Sequence, residues 1–226
     1  GEYIVAGSDD DKVYLFSGDS STPLWNYTTG NYVVGVAISA DGKYIVVGSS
    51  NRTSSDGSLH LFSKDSNVPL WNYISNFSCC GMGSPDGNYP VAISANGESI
   101  VAASSDGKIY LFHKDNSTPL WSYDGGEVSS VAVSADGEYI VAAGTTDYPR
   151  VDLFHKGSKT PLWTLYSTFF SSGGGSLDDV GVSVAISADG EYIAVAANHV
   201  SLFNKDNSTP LWNYTAGDGV RSVAIS

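Results

Sequence analysis

An all-β fold of five four-stranded antiparallel sheets is what this 226-residue sequence predicts, and three observations predict it. A pentapeptide of the PLWNY type recurs at Pro23, Pro69, Pro119, Pro161 and Pro210, carrying all five Trp residues at intervals of 42 to 50 residues. A period in that range marks a stacked or circular repeat, because a single repeat cannot bury its own apolar face. Each period divides into four short apolar runs separated by turns rich in Gly, Asp, Ser and Pro. No stretch carries a capped 3.6-residue apolar period, so almost no helix is expected.

In chain order, GEYIVAGS places apolar side chains on both faces of a strand, as expected between two layers. The turn SDDD leads to VYLF at Val13 to Phe16, and GDSST leads to PLWNY, whose Pro sits at the first strand residue, where no ladder donor is needed. TTGN turns the chain into VVGVAIS at Val33 to Ser39, and SADG then provides the Asp and Gly of a tight hairpin turn. The cycle repeats. VAIS-type runs return at Val91, Val131, Val184 and Val223, YIVAG-type runs at Ser99, Tyr139 and Tyr192, and YLF-type runs at Leu59, Ile109, Val151 and Val200.

The chain begins at a YIVAG-type run and stops at a VAIS-type run, so the last run is expected to complete the first sheet. The expected architecture is a five-bladed β-propeller of four-stranded antiparallel blades, closed by the C-terminal strand pairing with the N-terminal blade, which removes free edges. The expected single domain, 1–226, comprises blade 1 (1–29 plus 220–226), blade 2 (33–74), blade 3 (89–124), blade 4 (128–167) and blade 5 (182–215).

Composition narrows function. Hydrophobic residues make up 42% and charged residues 15%, enough for a sizeable core and against general disorder. A net charge of −13 argues against a nucleic-acid backbone as partner and favours cations or basic partners. No apolar run is long enough to span a bilayer, so no membrane insertion by this domain is expected. No signal peptide opens the chain, an absence of little weight because Gly1 falls in mid-repeat. N-x-[ST] sequons at Asn26, Asn51, Asn76, Asn116, Asn207 and Asn213, with few Lys, lean toward glycosylation in an extracellular or cell-surface setting; a cytoplasmic one is the alternative.

The pattern SVAISADGEYIVAGS is similar to WD-repeat β-propellers, and LF-x-KD-x-STPLWNYTTG resembles the outer part of pyrroloquinoline-quinone-type propeller repeats. Such hybrid repeats look like those of archaeal surface proteins. The sequence departs from the WD pattern: no Gly-His dipeptide opens a blade, and Trp is followed by Asn, Ser or Thr, never Asp. The buried His–Ser–Asp network of that family is therefore not expected in full. The resemblance implies a binding or scaffold module rather than an enzyme.

Repeated residues read as structure. Trp25, Trp71, Trp121, Trp163 and Trp212 are expected between blades, where each buried ring removes roughly 150–250 Å² from water, an upper-bound gain of about 4–6 kcal/mol. Function is expected where copies differ. The outer-to-inner connections and the YIVAG-to-YLF connections open on one face, which carries every expansion: Asn51 to Gly57, Ser75 to Pro90, Thr145 to Arg150 and Ser167 to Gly181. Candidate partner-binding residues there are Tyr32, Tyr89, Tyr148, Arg150, Phe169 and Phe170. Phe169 and Phe170 before SSGGGS read equally as a sticky tip or a plug over the channel mouth. The expected partner is another protein or a cell-surface glycan, the latter making the chain lectin-like, with self-assembly inside a larger parent chain as a further option.

Cys79 and Cys80 are adjacent, so a bridge between them is strained; a loop-stiffening vicinal disulfide competes with two thiols or intermolecular bridges. Such a ring resembles one feature of quinone-dependent alcohol dehydrogenases, whose other features are missing, leaving a calcium- or quinone-dependent enzyme a remote reading. Asp9 and Asp11, in the run Asp9 to Asp11, are weak calcium candidates beside the simpler reading of a solvated turn. No other cofactor is expected. No G-x-S-x-G, H-E-x-x-H, C-x-x-C or P-loop motif occurs, and the VAIS-type runs carry no Asp or Glu for a glycosidase pair, so no catalytic residue is expected.

Overall fold

The structure, a computed structural model, describes residues 1–51, 57–75, 90–104, 106–145, 149–166, 182–217 and 219–226. Strands rich in Val, Ile, Tyr and Phe alternate with Gly and Asp turns and form five consecutive antiparallel sheets. The first holds β1 (Tyr3–Gly7), β2 (Lys12–Ser17) and β3 (Pro23–Thr28). The second holds β4 (Tyr32–Ile38), β5 (Tyr44–Ser50), β6 (Gly57–Ser63) and β7 (Trp71–Ser75). The third holds β8 (Val91–Ile93), β9 (Ser99–Ala103), β10 (Lys108–His113) and β11 (Asn116–Asp124). The fourth holds β12 (Glu127–Val133), β13 (Tyr139–Thr145), β14 (Pro149–His155) and β15 (Trp163–Tyr166). The fifth holds β16 (Ser183–Ile186), β17 (Tyr192–Ala196), β18 (His199–Asn204) and β19 (Trp212–Thr215).

The SADG turns set the entry to each second strand. The Ser39 hydroxyl donates to Asp41 Oδ1 at 2.6 Å, the same oxygen accepts the Lys43 N–H at 3.0 Å, and the Tyr44 N–H donates to Ser39 Oγ at 3.1 Å. Ser94 with Asn96, Ser134 with Asp136 and Ser187 with Asp189 repeat the hydroxyl bond. These donors hold the Asp41 carboxyl down at about 2, the Ser39 hydroxyl contributing most. Gly42, Gly97 and Gly190 take φ of 70°, 74° and 74°. A Cβ there would lie 2.7, 2.4 and 2.6 Å from the rings of Tyr3, Tyr44 and Tyr139 on the preceding sheet. Glycine therefore serves both the turn and the close approach of neighbouring sheets.

Sheets join through one repeated lock. Trp25, Trp71, Trp121 and Trp163 donate Nε1–H to the carbonyls of Lys64, Lys114, Lys156 and Lys205 on the next sheet, at 2.7, 2.7, 2.8 and 2.9 Å. Their rings lie 5.5, 5.6, 5.3 and 5.9 Å from Phe62, Phe112, Phe154 and Phe203. Tyr27, Tyr73 and Tyr123 meet the first three of those rings edge-on. Each buried cluster accordingly spans two consecutive sheets: first with second, second with third, third with fourth, fourth with fifth. Among the described residues no such cluster joins the fifth sheet to the first.

The expected closure by the C-terminal strand is not present. The first sheet has three strands and residues 220–226 carry no strand. The tail instead lies against the fifth sheet, with Val220 N–H bonded to the Ala197 carbonyl at 2.5 Å and Val223 N–H to Ser183 Oγ at 3.4 Å. These bonds repeat two others inside the chain, Val33 N–H to the Ser8 carbonyl and Val184 N–H to Ser130 Oγ, each between a VAIS-type segment and the sheet before it. The tail thus occupies the inner-strand position that follows the fifth sheet, and its contacts to that sheet hold it without any pairing to β1.

The lock makes a contrast measurable. Replacing Trp71 by Ala removes a ring packed on Phe112 and leaves the Lys114 carbonyl without its donor, a loss of roughly 3 kcal/mol. Trp212 is 49% exposed, and its replacement by Ala should cost the monomer under about 1 kcal/mol. Urea unfolding of both variants checks this, and equal losses would contradict the assignment of the lock.

Candidate functional site

Antiparallel four-stranded order places the β1–β2, β5–β6, β9–β10, β13–β14 and β17–β18 connections on one face, together with the links between successive sheets. This is the face on which the sequence expansions fall. Tyr89, Tyr148, Phe169 and Phe170 lie outside the described residues, as do Cys79, Cys80 and Asn76. Tyr32 is described: it opens β4, is half-buried, and stands opposite Ser50 of β5.

Arg150 differs from the expectation of an exposed anchor. It is buried, its Nε lies 2.7 Å from Asp152 Oδ2, its Nη2 donates to the Asp124 carbonyl at 3.2 Å, and its guanidinium stacks 5.3 Å from the Tyr123 ring centroid. Alternation along β14 turns Arg150 and Asp152 toward the third sheet, so the cation is engaged between sheets. Burial pushes the Asp152 carboxyl up, against the opposing bonds from the Thr164 hydroxyl and Arg150.

The acidic turn is built around its own backbone. Asp11 takes φ 65°, and its carbonyl accepts both the N–H and the hydroxyl of Thr29, at 2.8 and 2.9 Å. Asp10 accepts the Tyr14 hydroxyl and the Lys12 N–H, and the Tyr14 bond lowers its pKa most. Asp9 is exposed and Asp11 half-buried. Among the described residues no group of three or more His, Cys, Asp or Glu converges as a metal site. Of the sequons, Asn26, Asn116, Asn207 and Asn213 are exposed and Asn51 is half-buried. Asn116 and Asn207 accept the N–H of Thr118 and Thr209 through their side-chain oxygens.

One polar network was not expected. Asn72 Oδ1 accepts from His60 Nδ1 at 2.9 Å, His60 Nε2 then accepts the Ser58 hydroxyl at 2.7 Å, and Ser49 lies 2.8 Å from Ser58. His60 is 4% exposed, and burial pushes its pKa below the ordinary value. The same cross-strand register holds Asp152 opposite Thr164, Tyr110 opposite Ser122 and Tyr14 opposite Asn26. The signal lay in the residue after each Trp: Asn, Ser or Thr there stands opposite the most variable position of the YLF-type strand. Across the strands, His60 and Asn72 are a matched pair. Ser49, Ser58 and His60 are buried and Asn72 is exposed at the outer end of the network, which braces the second sheet.

Comparison with known proteins agrees with this geometry. Residues 21–63 match the model of the WD domain, G-beta repeat, a segment that runs from β3 through β6. The fold is similar to a chain in the crystal structure of the mitotic checkpoint complex, at 18% identity and a TM-score of 0.71, over 97% of this chain and 64% of that chain. At that identity the likeness shows the fold: an all-β arrangement of propeller type. A search of the curated proteins found no match.

The His60 network gives stability a pH dependence of defined sign. A lowered folded-state pKa means the native protein favours the neutral ring, so this contribution is complete above the unfolded value of about 6.5 and declines as pH falls below it. Urea midpoints should drop between about pH 7.5 and pH 5.5. His60→Tyr, which installs the residue found at this register in Tyr14 and Tyr110, should remove the histidine part of that slope. An unchanged slope would show that the charge change sits elsewhere.

Proposed function

We propose that this chain is a non-catalytic binding and scaffold module that meets another protein through the face bearing its expanded connections. One observation carries the reading. The residues that repeat are consumed by structure: the turns of the opposite face hold the same Ser–Asp or Ser–Asn bond four times, and the Trp–Phe locks hold the sheets. The segments that differ in length and composition, Asn51 to Gly57, Ser75 to Pro90, Thr145 to Arg150 and Ser167 to Gly181, connect strand ends that lie on the other face. Rigid sheets displaying divergent loops suit recognition. The WD-repeat match over residues 21–63 supports the same reading, since resemblance to that repeat implies scaffold roles.

The contact is assigned to aromatic side chains of that face, Tyr32, Tyr89, Tyr148, Phe169 and Phe170, with Arg150 stiffening the strand after Tyr148 from within. An extracellular or cell-surface setting fits the exposed Asn26, Asn116, Asn207 and Asn213. In natively produced protein, intact mass before and after glycosidase treatment should then differ by whole N-glycans, and a bare mass would remove the extracellular assignment.

The binding test uses the full chain as bait in its native surroundings, beside a variant with Phe169→Ala and Phe170→Ala. Protein partners recovered by the parent should be depleted at least about tenfold by the double variant. Specific retention on a glycan array with loss in the same variant would replace the protein partner by a carbohydrate.

A further inference from the structure

The turns that join inner to second strands share one set of bonds and differ in one residue. Asp41, Asp136 and Asp189 hold the position in the second, fourth and fifth sheets, and Asn96 holds it in the third. Asn96 Oδ1 accepts the Ser94 hydroxyl at 2.6 Å and the Glu98 N–H at 3.0 Å. The aspartates accept the same two donors, Ser39 with Lys43, Ser134 with Glu138 and Ser187 with Glu191. Gly97 follows with φ 74°, beside 70°, 77° and 74° for Gly42, Gly137 and Gly190. Its N–H donates to the Ser94 carbonyl at 2.9 Å. Asn96–Gly97 is the one Asn-Gly pair in the sequence. An Asn side chain before Gly is the most open to attack by the following backbone nitrogen, because glycine has no Cβ to shield that atom.

We propose that Asn96 is a site of spontaneous conversion to aspartate, held back while its turn is folded and structurally silent once complete. The only co-reactant is water. The Gly97 nitrogen gives up its proton and bonds to Asn96 Cγ, the Cγ–Nδ2 bond breaks, and Nδ2 leaves as ammonia with that proton. Water then opens the cyclic imide. Cleavage at Cγ yields aspartate on an unchanged main chain. Cleavage at the backbone carbonyl of residue 96 yields isoaspartate, whose main chain runs through Cβ and Cγ and is one atom longer. The site lies on the face opposite the expanded connections, so it stands apart from the assignment of a protein partner.

The fold keeps the reacting atoms apart. The Gly97 N–H is engaged by the Ser94 carbonyl, Asn96 Oδ1 is engaged by two donors, and the Tyr44 ring presses on Gly97. Imide closure therefore waits for the turn to open, and its rate follows the open population. The fold also sorts the products. An aspartate at position 96 makes the bonds that Asp41, Asp136 and Asp189 already make. The Ser39 and Ser187 hydroxyls are the main cause holding the Asp41 and Asp189 carboxyls below their ordinary value, so these turns favour the charged form. Glu98 is no obstacle, since Asp136 precedes Glu138 and Asp189 precedes Glu191 at the same spacing, with Lys156 and Lys205 paired to those glutamates. Isoaspartate breaks a different set of bonds. Ala40, Ala95 and Ala135 donate N–H to the carbonyls of Ala95, Ala135 and Ala188 at 3.2, 3.1 and 3.0 Å, tying the second sheet to the third, the third to the fourth and the fourth to the fifth. A longer main chain at residue 96 displaces Ala95 from that line.

Peptide mapping by mass spectrometry tests this on the full chain, incubated at mildly alkaline pH both folded in buffer and unfolded in guanidinium chloride. In the unfolded chain the amide-to-acid mass change should appear first at Asn96, and earlier conversion of another Asn overturns the assignment. The folded chain should convert at least about tenfold more slowly, and equal rates would overturn the protection by the turn. The Asn96→Asp variant should match or exceed the parent's urea midpoint at neutral pH, and a lower midpoint overturns the silent fit. Aged and refolded protein, separated into its two products, should show isoaspartate only in the fraction with a lowered urea midpoint. Isoaspartate at the parent's midpoint would overturn the sorting of products by the fold.

Discussion

Everything in this fold depends on an indole that reaches across to the next sheet. A four-stranded sheet of this size has two apolar faces and too little core to stand alone. The Trp–Phe contact buries the outer parts of two sheets, and the indole N–H bond to a turn carbonyl fixes how far one sheet slides over the next. The bond matters for geometry more than for energy, since a hydrogen bond contributes net only about 1 kcal/mol. It ends on a backbone carbonyl, so the acceptor is independent of the side chain at that turn. Lys occupies all four acceptor positions.

The turns supply the second constraint. Ser39 and Asp41 tie the chain between an inner and a second strand, and Gly42 allows Tyr3 of the preceding sheet to press against the turn. The hairpin therefore sets the distance between sheets as well as the direction of the chain. Lys64 closes the arrangement over the same ring, with Nζ 5.5 Å from the Tyr3 centroid. Trp at one end of each joint, with Tyr at the other in three of the four and Ser99 in the joint between the third and fourth sheets, leaves a sheet little freedom to rotate against its neighbour.

Most of the fold was legible because its determinants are local and repeated. The PLW spacing, the period-2 runs and the SADG turns each specify an element within a few residues, and the copies confirm one another. What sequence could not supply was relation across the repeat. Whether Val220 to Ser226 pairs with β1 depends on where the first and fifth sheets end in space, which no local pattern records. Trp212 resembles the other four Trp residues in sequence, and its 49% exposure could not be read from it. Arg150, read as a surface anchor from its place at a loop end, lies one strand alternation inside the sheet and is held by Asp152. The His60 network was hidden because its members belong to two strands, and only the register of β6 against β7 brings Asn72 to the ring.

A repeat that joins sheets in this way divides its own surface into parts with different freedoms. The faces between sheets admit little change, because a Phe or Trp lost there opens a cavity inside a joint. The register opposite the residue after Trp admits any pair that satisfies itself: Tyr14 with Asp10, His60 with Asn72 and Ser58, Asp152 with Thr164 and Arg150. The copies have parted furthest in length and composition in the connecting segments of the expanded face. Divergence in this chain has therefore accumulated where a partner can be contacted without disturbing a joint.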